Sequence, residues 1–429
     1  MRYKIKLKVY ASYLFYVVAL LNINMKKILA LVLIFVFQGQ FLKAQTTRWR
    51  ANIQIEGGTL PFGLELQKKA DNTYQVYILN ASERFQTDDA SISGDSLRIP
   101  ISLFDAELVA KMTDKNLRGI FRKNKGRKSF VQVPFKATLG YNYRFVPNQK
   151  VANKMDLQGK WATNFINTTT QKKSFAVGIF EQKGNIVTGS FLTTTGDYRY
   201  MDGNRVGDSL FLSTFDGSHT FLMKAKITGS KITGKFSDSV LGFKHIEAQK
   251  DDKAELPDVK KITYLKEGYD KLNFTFPNEK GEKISLSDDA FKGKVVVVQI
   301  LGSWCPNCMD ESSYLAPFYK KNKAKGLEII GLAYEKNADS EFFKTKMALL
   351  RKRFGIEYPL LQAGLNNSES ASESLPMLNK VIGFPTTLII DKKGKIRETH
   401  AGFSGPGTGK YYTEWVAEFE RLMDKLLAE

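Results

Sequence analysis

The chain has 429 residues, of which 43% are hydrophobic and 25% charged, as in ordinary soluble globular proteins, and its length suggests two or three domains. Its 64 Lys and Arg residues exceed its 44 Asp and Glu residues, which gives a formal net charge of +20. Because the charges are spread along the chain and no nucleic-acid-binding motif occurs, the composition indicates a solvated basic surface and no nucleic-acid partner.

Residues 1–44 have the pattern of a targeting region. Met25 and two lysines precede an apolar run at residues 28–37, and a cleavage site can end at Ala44. A second apolar run lies upstream at residues 10–21, so we expect Met25 to be the true start. The pattern predicts a periplasmic or secreted protein. The alternative is an uncleaved N-terminal membrane anchor, which would add a membrane contact.

Residues 45–150 and residues 151–249 are each predicted to form an antiparallel β module. Short alternating runs, such as Trp49–Ile55, are separated by Gly, Asn and Asp clusters that favour turns. An internal duplication relates the two regions, because Gly94-Asp95-Ser96-Leu97 recurs as Gly207-Asp208-Ser209-Leu210. We expect each copy to form a meander or a small barrel-like sheet.

The repeated Gly-Asp-Ser sequence could hold a nucleophilic serine or form a turn. It lacks the Gly-x-Ser-x-Gly frame and no histidine recurs with it, which favours a tight turn between strands. Other shared positions follow in the same order, namely Trp49, Phe104-Asp105 and Gly119 in the first copy and Trp161, Phe215-Asp216 and Gly234 in the second. The sequence does not reveal what the modules do, and binding of a glycan, a lipid or a partner is an open alternative.

The rest of the chain changes character after a charged stretch at residues 250–263, which is predicted to be a linker. In residues 264–429 strands and helices alternate, which predicts an α/β domain with a mixed central sheet and helices on both faces. Val295–Val298 is predicted to be a buried strand and Ser340–Phe354 a helix. The polar, serine-rich residues 366–373 are predicted to be a loop.

Both cysteines of the chain, Cys305 and Cys308, lie where the predicted buried strand turns into a helix. A thiol at a helix N-terminus has a lowered pKa, because the unpaired N–H groups and the helix dipole stabilise the thiolate. Cys308 can then attack a mixed disulfide formed by Cys305. The alternatives are an inert disulfide and a zinc site. Zinc needs four ligands, and with only three dispersed histidines no metal is expected.

Four segments of the C-terminal region occur together and in a fixed order: Lys292–Val298, Gly302–Cys308, Glu311 and Gly383–Thr387. Through them, residues 264–429 resemble the TlpA/ResA-like branch of the thioredoxin superfamily. The resemblance implies a thioredoxin-like fold, thiol–disulfide oxidoreductase activity and protein thiols or disulfides as substrates. No flavin or nicotinamide motif is present, so we expect no cofactor and a separate membrane or periplasmic electron donor.

The resemblance also implies roles for individual residues. Cys305 would be the attacking nucleophile and Cys308 the resolving thiol, and Glu311 would take the proton from the resolving thiol. The peptide bond before Pro385 would be cis. Substrate docking is expected at Trp304, Pro306, Phe384 and Pro385.

Two positions depart from the pattern of that branch. Asn307 stands where the family usually has proline before the second cysteine, and Ser312 replaces a proline after the acidic residue. Because the residues between the cysteines tune the reduction potential, a reductant is favoured but an oxidant stays open. A thiol peroxidase is a further alternative, but it requires a Pro-x-x-x-Thr-x-x-Cys frame that residues 298–305 lack.

Overall fold

The structure is a computed structural model that describes residues 46–69, 71, 73–126, 129–148 and 156–429. The predicted targeting region, residues 1–44, lies outside these described residues. Within them, no helix combines the length and the apolar composition needed to cross a membrane. The described chain forms two all-β modules followed by an α/β domain.

The first β module is a sheet that closes on itself. Its strands are β1 (Thr46–Ile55), β2 (Gly58–Lys68), β3 (Thr73–Asn80), β4 (Glu83–Gln86), β5 (Ala90–Ser93), β6 (Ser96–Ile101), β7 (Ala106–Met112), β8 (Asn116–Gly126) and β9 (Ser129–Leu139). Among these described strands, the paired neighbours run β1-β2-β3-β5-β6-β7-β8-β9 and return to β1. Strand β4 pairs with β3 as a side hairpin outside the ring.

The second β module repeats this topology. Its strands are β10 (Gly159–Asn167), β11 (Lys173–Lys183), β12 (Ile186–Thr193), β13 (Gly196–Asp197), β14 (Met201–Val206), β15 (Ser209–Phe215), β16 (Thr220–Thr228), β17 (Lys231–Ser237) and β18 (Lys244–Lys250). As far as the chain is described, β10-β11-β12-β14-β15-β16-β17-β18 form the ring and β13 pairs with β12 at its side. The duplication in the sequence is therefore a duplication of topology.

The repeated Gly-Asp dipeptide forms the same hairpin turn in both modules. Gly94 and Asp95 connect β5 to β6, and Gly207 and Asp208 connect β14 to β15. The two glycines have φ values of 62° and 58°, in the left-handed region that glycine adopts without a steric cost. The prediction of a tight turn is confirmed.

Aromatic side chains fill the interior of the second module. Trp161, Phe165, Phe191 and Phe236 are all buried there. The ring of Phe165 lies 4.8 Å from that of Phe236 and 5.1 Å from that of Phe191, measured between centroids, the spacing of favourable aromatic pairs. These side chains occupy the space that a ligand inside the ring of strands would need.

The repeated Phe-Asp pairs join the parts of the chain. Phe215 of the second module packs against Phe62 and Phe121 of the first, with ring centroids 4.3 Å and 5.1 Å away. In the first copy, Asp105 forms an ion pair with the buried Lys346 of the α/β domain. Each copy of the Phe-Asp pair thus contacts another part of the molecule, through its phenylalanine in the second module and through its aspartate in the first.

The α/β domain has a five-stranded mixed sheet within the described chain. Its elements are β19 (Thr275–Pro277), β20 (Lys283–Ser285), β21 (Val295–Leu301), α1 (Pro306–Asn322), β22 (Leu327–Glu335), α2 (Ser340–Phe354), β23 (Leu360–Leu365), α3 (Ser368–Ser374), β24 (Thr386–Ile390), β25 (Ile396–Ala401) and α4 (Lys410–Ala428). The strand order is β23-β22-β21-β24-β25. Strands β21, β22 and β23 are parallel, and β24 is antiparallel to β21 and β25, which confirms the predicted mixed sheet.

Two helix predictions had different outcomes. The predicted helix over residues 340–354 is present as α2. The prediction of a loop at residues 366–373 is wrong, because most of that stretch forms α3. The side chain of Asn367 caps this helix by accepting a hydrogen bond from the Ser370 N–H at 2.7 Å, and Ala371 is buried. A short serine-rich helix has little stability of its own, so α3 depends on the Asn367 cap and on the burial of Ala371.

Candidate active site

The two cysteines form a disulfide at the start of α1. Cys305 is the N-cap residue of this helix, and the N–H of Cys308 points at its Sγ from 3.2 Å. When the disulfide is reduced, this N–H and the helix dipole favour the thiolate of Cys305 over its thiol. Cys305 is 5% exposed and Cys308 is fully buried, so Cys305 is the sulfur nearer to the surface.

The end of β22 holds the loop that precedes Cys305. Glu335 accepts hydrogen bonds from the backbone N–H of Ser303 at 2.8 Å and from its hydroxyl at 2.7 Å. The indole N–H of Trp304 donates to the carbonyl oxygen of Tyr334 at 2.8 Å. Burial raises the pKa of Glu335, and the bonds from Ser303 oppose that shift. The sequence analysis missed Glu335, although an acidic residue that ends an apolar strand is a signal for it.

Glu311 is buried behind the cysteines, on the second turn of α1. One carboxylate oxygen accepts from Gln299 Nε2 at 2.7 Å and the other from the hydroxyl of Thr387 at 2.6 Å. Burial raises the pKa of Glu311 from its usual 4.5 to about 7, against the effect of these two hydrogen bonds. A carboxyl with this pKa can exchange a proton near neutral pH. Gln299 and Thr387 were not predicted, but a glutamine within the apolar strand β21 marks the place.

Phe384 and Pro385 form a loop beside Cys305. The peptide bond between them is cis. The carbonyl oxygen of Phe384 lies 3.5 Å from the Sγ of Cys305, and its ring meets the ring of Trp304 edge to face, with centroids 5.4 Å apart. The carbonyl oxygen of Pro385 accepts from the N–H of Gly402 at 2.8 Å. The structure therefore brings Trp304, Phe384 and Pro385 together around the first cysteine.

Pro306 and Asn307, between the two cysteines, are bonded to the second β module. The guanidinium of Arg199 donates to the carbonyl oxygen of Pro306 at 3.3 Å. The side-chain amide of Asn307 donates to the carbonyl oxygen of Asp197 at 3.1 Å. Pro306 was predicted to contact substrate. In the structure its carbonyl oxygen accepts a hydrogen bond from Arg199 of the same chain.

Arg199 is the centre of a buried ion cluster that joins three parts of the molecule. It pairs with Glu83 of the first module, Asp216 of the second and Asp310 of α1. Burial raises the pKa of Asp310 to about 7, and the charge of Arg199 opposes the shift. No sequence pattern pointed to Arg199, because its partners lie between 17 and 116 positions away in the chain. Among the described residues, no cluster of three or more His, Cys, Asp or Glu side chains suits a metal ion.

The C-terminal domain is similar to known proteins. Residues 268–399 match the model of the AhpC/TSA family. The chain is 33% identical over 129 residues to the thiol-disulfide oxidoreductase ResA of Bacillus thuringiensis subsp. konkukian (strain 97-27). This alignment covers 30% of this chain and 66% of the relative, just under two thirds of the relative's length. It is 31% identical over 141 residues to the ResA of Bacillus anthracis, which covers 32% of this chain and 69% of the relative.

A solved structure, a thiol:disulfide interchange protein of the thioredoxin family from Chlorobium tepidum TLS, is 21% identical, with a TM-score of 0.29 and coverage of 37% of this chain and 95% of that one. The cysteine pair at the start of α1 lies within residues 268–399, the segment that matches the family model. Through its C-terminal domain, the chain belongs to the ResA-like thiol–disulfide oxidoreductases of the thioredoxin superfamily.

Proposed function

We propose that the protein is a thiol–disulfide oxidoreductase that reduces the disulfides of other proteins outside the cytoplasm. The observation that carries this proposal is the position of Cys305, which caps α1 with its sulfur facing a backbone N–H, opposite Cys308. A sulfur held there is stabilised as a thiolate and has a second thiol within bonding distance. The ResA relatives are named thiol-disulfide oxidoreductases.

The reaction proceeds in two exchange steps. The Cys305 thiolate attacks one sulfur of a substrate disulfide, which forms a mixed disulfide and releases the other substrate sulfur as a thiolate. Cys308 then loses its proton and attacks Cys305, which releases the second substrate thiol and leaves the Cys305–Cys308 disulfide. Two electrons have passed from the protein to the substrate. A membrane or periplasmic donor must return them before the next cycle.

Glu311 is proposed to accept the proton of Cys308. Gln299 connects the two residues, since its side-chain amide reaches Glu311 at 2.7 Å and the carbonyl oxygen of Cys308 at 3.4 Å. The raised pKa of Glu311, about 7, lies near neutral pH, where a general base works best. Trp304, Phe384 and Pro385 are proposed to contact the substrate, because they surround Cys305.

The periplasmic or secreted location is also a proposal, and it is supported by the targeting pattern of residues 1–44. The peroxidase alternative is disfavoured at Gly302, the position where that frame has threonine. A Cβ atom there would lie 2.7 Å from Trp304 Cε2 and 2.9 Å from the carbonyl oxygen of Tyr334. The loop therefore has no room for a threonine without a rearrangement of its backbone.

The reduction potential of the Cys305–Cys308 pair tests the proposal. It is measured in glutathione buffers by trapping free thiols. A value near or below about −230 mV identifies a reductant, whereas a value near about −120 mV identifies an oxidant and overturns the proposed direction. Cys305→Ser should abolish disulfide reduction and Cys308→Ala should accumulate mixed disulfides. Activity retained in Cys305→Ser, or Cys305-dependent consumption of peroxide in place of disulfides, would refute the assignment.

A further inference from the structure

The second β module covers the active site with the tip of its side hairpin. We name residues 193–199, which connect β12 to β14 and include β13, the capping hairpin. At its end Arg199 has a φ of 55°, a backbone conformation uncommon for residues other than glycine. Such a conformation persists where surrounding contacts enforce it. Those contacts are made with the segment that carries the cysteines.

The residues on both sides of Cys305 are bonded to the second module. Asn307 donates to Asp197 of the capping hairpin at 3.1 Å, and the carbonyl oxygen of Pro306 accepts from Arg199 at 3.3 Å. On the other side of the cysteine, the hydroxyl of Ser218 donates to the carbonyl oxygen of Trp304 at 3.3 Å. The residues next to Cys305 in the chain therefore have polar groups that are already hydrogen-bonded to the second module.

The capping hairpin also fits a socket built of glycines in the C-terminal domain. A Cβ atom on Gly383, two residues before Pro385, would lie 2.7 Å from a methyl carbon of Thr195. One on Gly402 would lie 2.6 Å from the backbone nitrogen of Gly196. The N–H of Gly405 donates to the carboxylate of Asp197 at 2.7 Å. The space beside the Phe384–Pro385 loop is therefore filled by the protein's own chain, packed at contact distance.

Ion pairing holds this arrangement closed. Arg199 of the capping hairpin pairs with Asp310, which lies two residues after Cys308 on α1. Asp216 and Glu83 hold the same guanidinium from the two β modules, and all of these side chains are largely buried. Separating a buried ion pair costs free energy, because each charge loses its partner. Moving the capping hairpin away from α1 therefore requires that the pair between Arg199 and Asp310 be broken.

We propose that the capping hairpin selects the substrates of Cys305 by size. Large protein disulfides reach the sulfur only after the hairpin leaves the glycine socket, whereas small thiol-reactive molecules reach it more readily. This inference rests on the proposed function, since it concerns access to the same sulfur. Cys305 is 5% exposed and Phe384 9% exposed with the capping hairpin in place, so little of either residue is open to a folded substrate. The apparent rate for a large substrate is then proportional to the fraction of molecules in which the hairpin has left the socket.

The experiment compares two reagents with the same reactive group and different sizes. In the reduced full chain with Cys308→Ala, only Cys305 can react, and its rate is measured with N-ethylmaleimide and with a maleimide attached to a polyethylene glycol chain. We expect the large reagent to react much more slowly. Gly196→Val, whose side chain would collide with Asn307 Nδ2, should raise the rate of the large reagent about tenfold, which corresponds to about 1.4 kcal/mol, and that of the small one far less.

Gly207→Val is the matched control. Gly207 lies in the same module and also has a positive φ, but it has open space around it, so this variant has the backbone strain without the collision. If Gly196→Val does not fold, Asp310→Asn removes the pair with Arg199 without added bulk and should act in the same direction. Equal wild-type rates for the two reagents, or an unchanged ratio in the folded variants, would overturn the proposal. Labelling needs no turnover, so this result is independent of whether the protein reduces disulfides.

Discussion

Gln299 Nε2 donates a hydrogen bond to Glu311 at 2.7 Å and lies 3.4 Å from the carbonyl oxygen of Cys308. A glutamine in the central strand thus connects the buried acid to the backbone of the resolving cysteine. This amide lies on β21, between the carboxyl of Glu311 and the start of α1. The protonation state of Glu311 should therefore influence the chemistry of Cys308.

The first prediction concerns the pH dependence of the resolving step. Glu311 can accept a proton only when it is ionised, and burial places its pKa at about 7. The rate at which Cys308 resolves a preformed mixed disulfide should rise with pH through about 7 and then level off until the thiol itself ionises. Stopped-flow measurement of the released substrate thiol gives this profile. Glu311→Gln should remove the inflection near pH 7, and an unchanged inflection in that variant would contradict the role of Glu311.

The second prediction concerns stability and the same residue. The pKa of Glu311 is raised in the folded protein from 4.5 to about 7, so its contribution is intact below pH 4.5 and is lost as the pH rises to about 7. The wild-type protein should therefore lose stability over this window relative to Glu311→Gln, by up to about 3 kcal/mol. Urea unfolding at pH 4.5 and pH 8 measures the difference. Equal differences at the two pH values would show that the carboxyl is not buried as described.

The third prediction concerns Glu335 and the loop before Cys305. Glu335→Ala leaves the Ser303 N–H without its partner, which should cost about 1–3 kcal/mol of stability, and it releases the loop that positions Cys305. We expect slower disulfide reduction and an altered reduction potential. Glu335→Gln keeps one acceptor oxygen for the N–H and should retain most of the activity. Loss of activity in both variants alike would indicate a requirement for the charge and not for the hydrogen bonds.

The fourth prediction concerns the contact between the first β module and α2. Lys346 is buried and its Nζ donates to the carbonyl oxygen of Ser102 at 2.9 Å, besides its pair with Asp105. Lys346→Met should lower the unfolding free energy by about 1–3 kcal/mol, because the Ser102 carbonyl loses its donor and Asp105 keeps only Lys336 as an ion-pair partner among the described residues. Lys344→Met is the matched control on the same helix. Lys344 is exposed and pairs with Glu341, so its loss should cost at most about 0.5 kcal/mol. Thermal unfolding of both variants checks this.

Local patterns in the sequence were sufficient for much of the catalytic domain. The run of valines before Gln299 predicted a buried strand, and the position of Cys305 after it predicted the start of a helix; both are present. The repeated Gly-Asp turn was predictable as well, because a two-residue hairpin turn needs glycine. These features follow from interactions between residues that are close in the chain.

The remaining features depend on contacts between distant segments. Arg199 is 111 positions from Asp310 and 116 from Glu83, and an arginine that ends a short β hairpin looks like a surface residue in the sequence. Glu335 is recognisable only once β21 and β22 are known to be parallel neighbours. Helix α3 was missed because its serine-rich sequence has little helical tendency without the Asn367 cap. These features are determined by burial and by contacts with distant residues, and not by the conformational preferences of the local sequence.

The hydrogen bond from Asn307 to Asp197 spans 110 positions of sequence. The dipeptide between the cysteines must therefore satisfy two requirements at once, the redox balance of the sulfurs and the shape of a neighbouring module. Exchanging Pro306-Asn307 for another dipeptide would alter both together. Natural variation at these two positions is expected to be coupled to variation at Asp197 and Arg199, so that the β modules and the redox centre evolve as one unit.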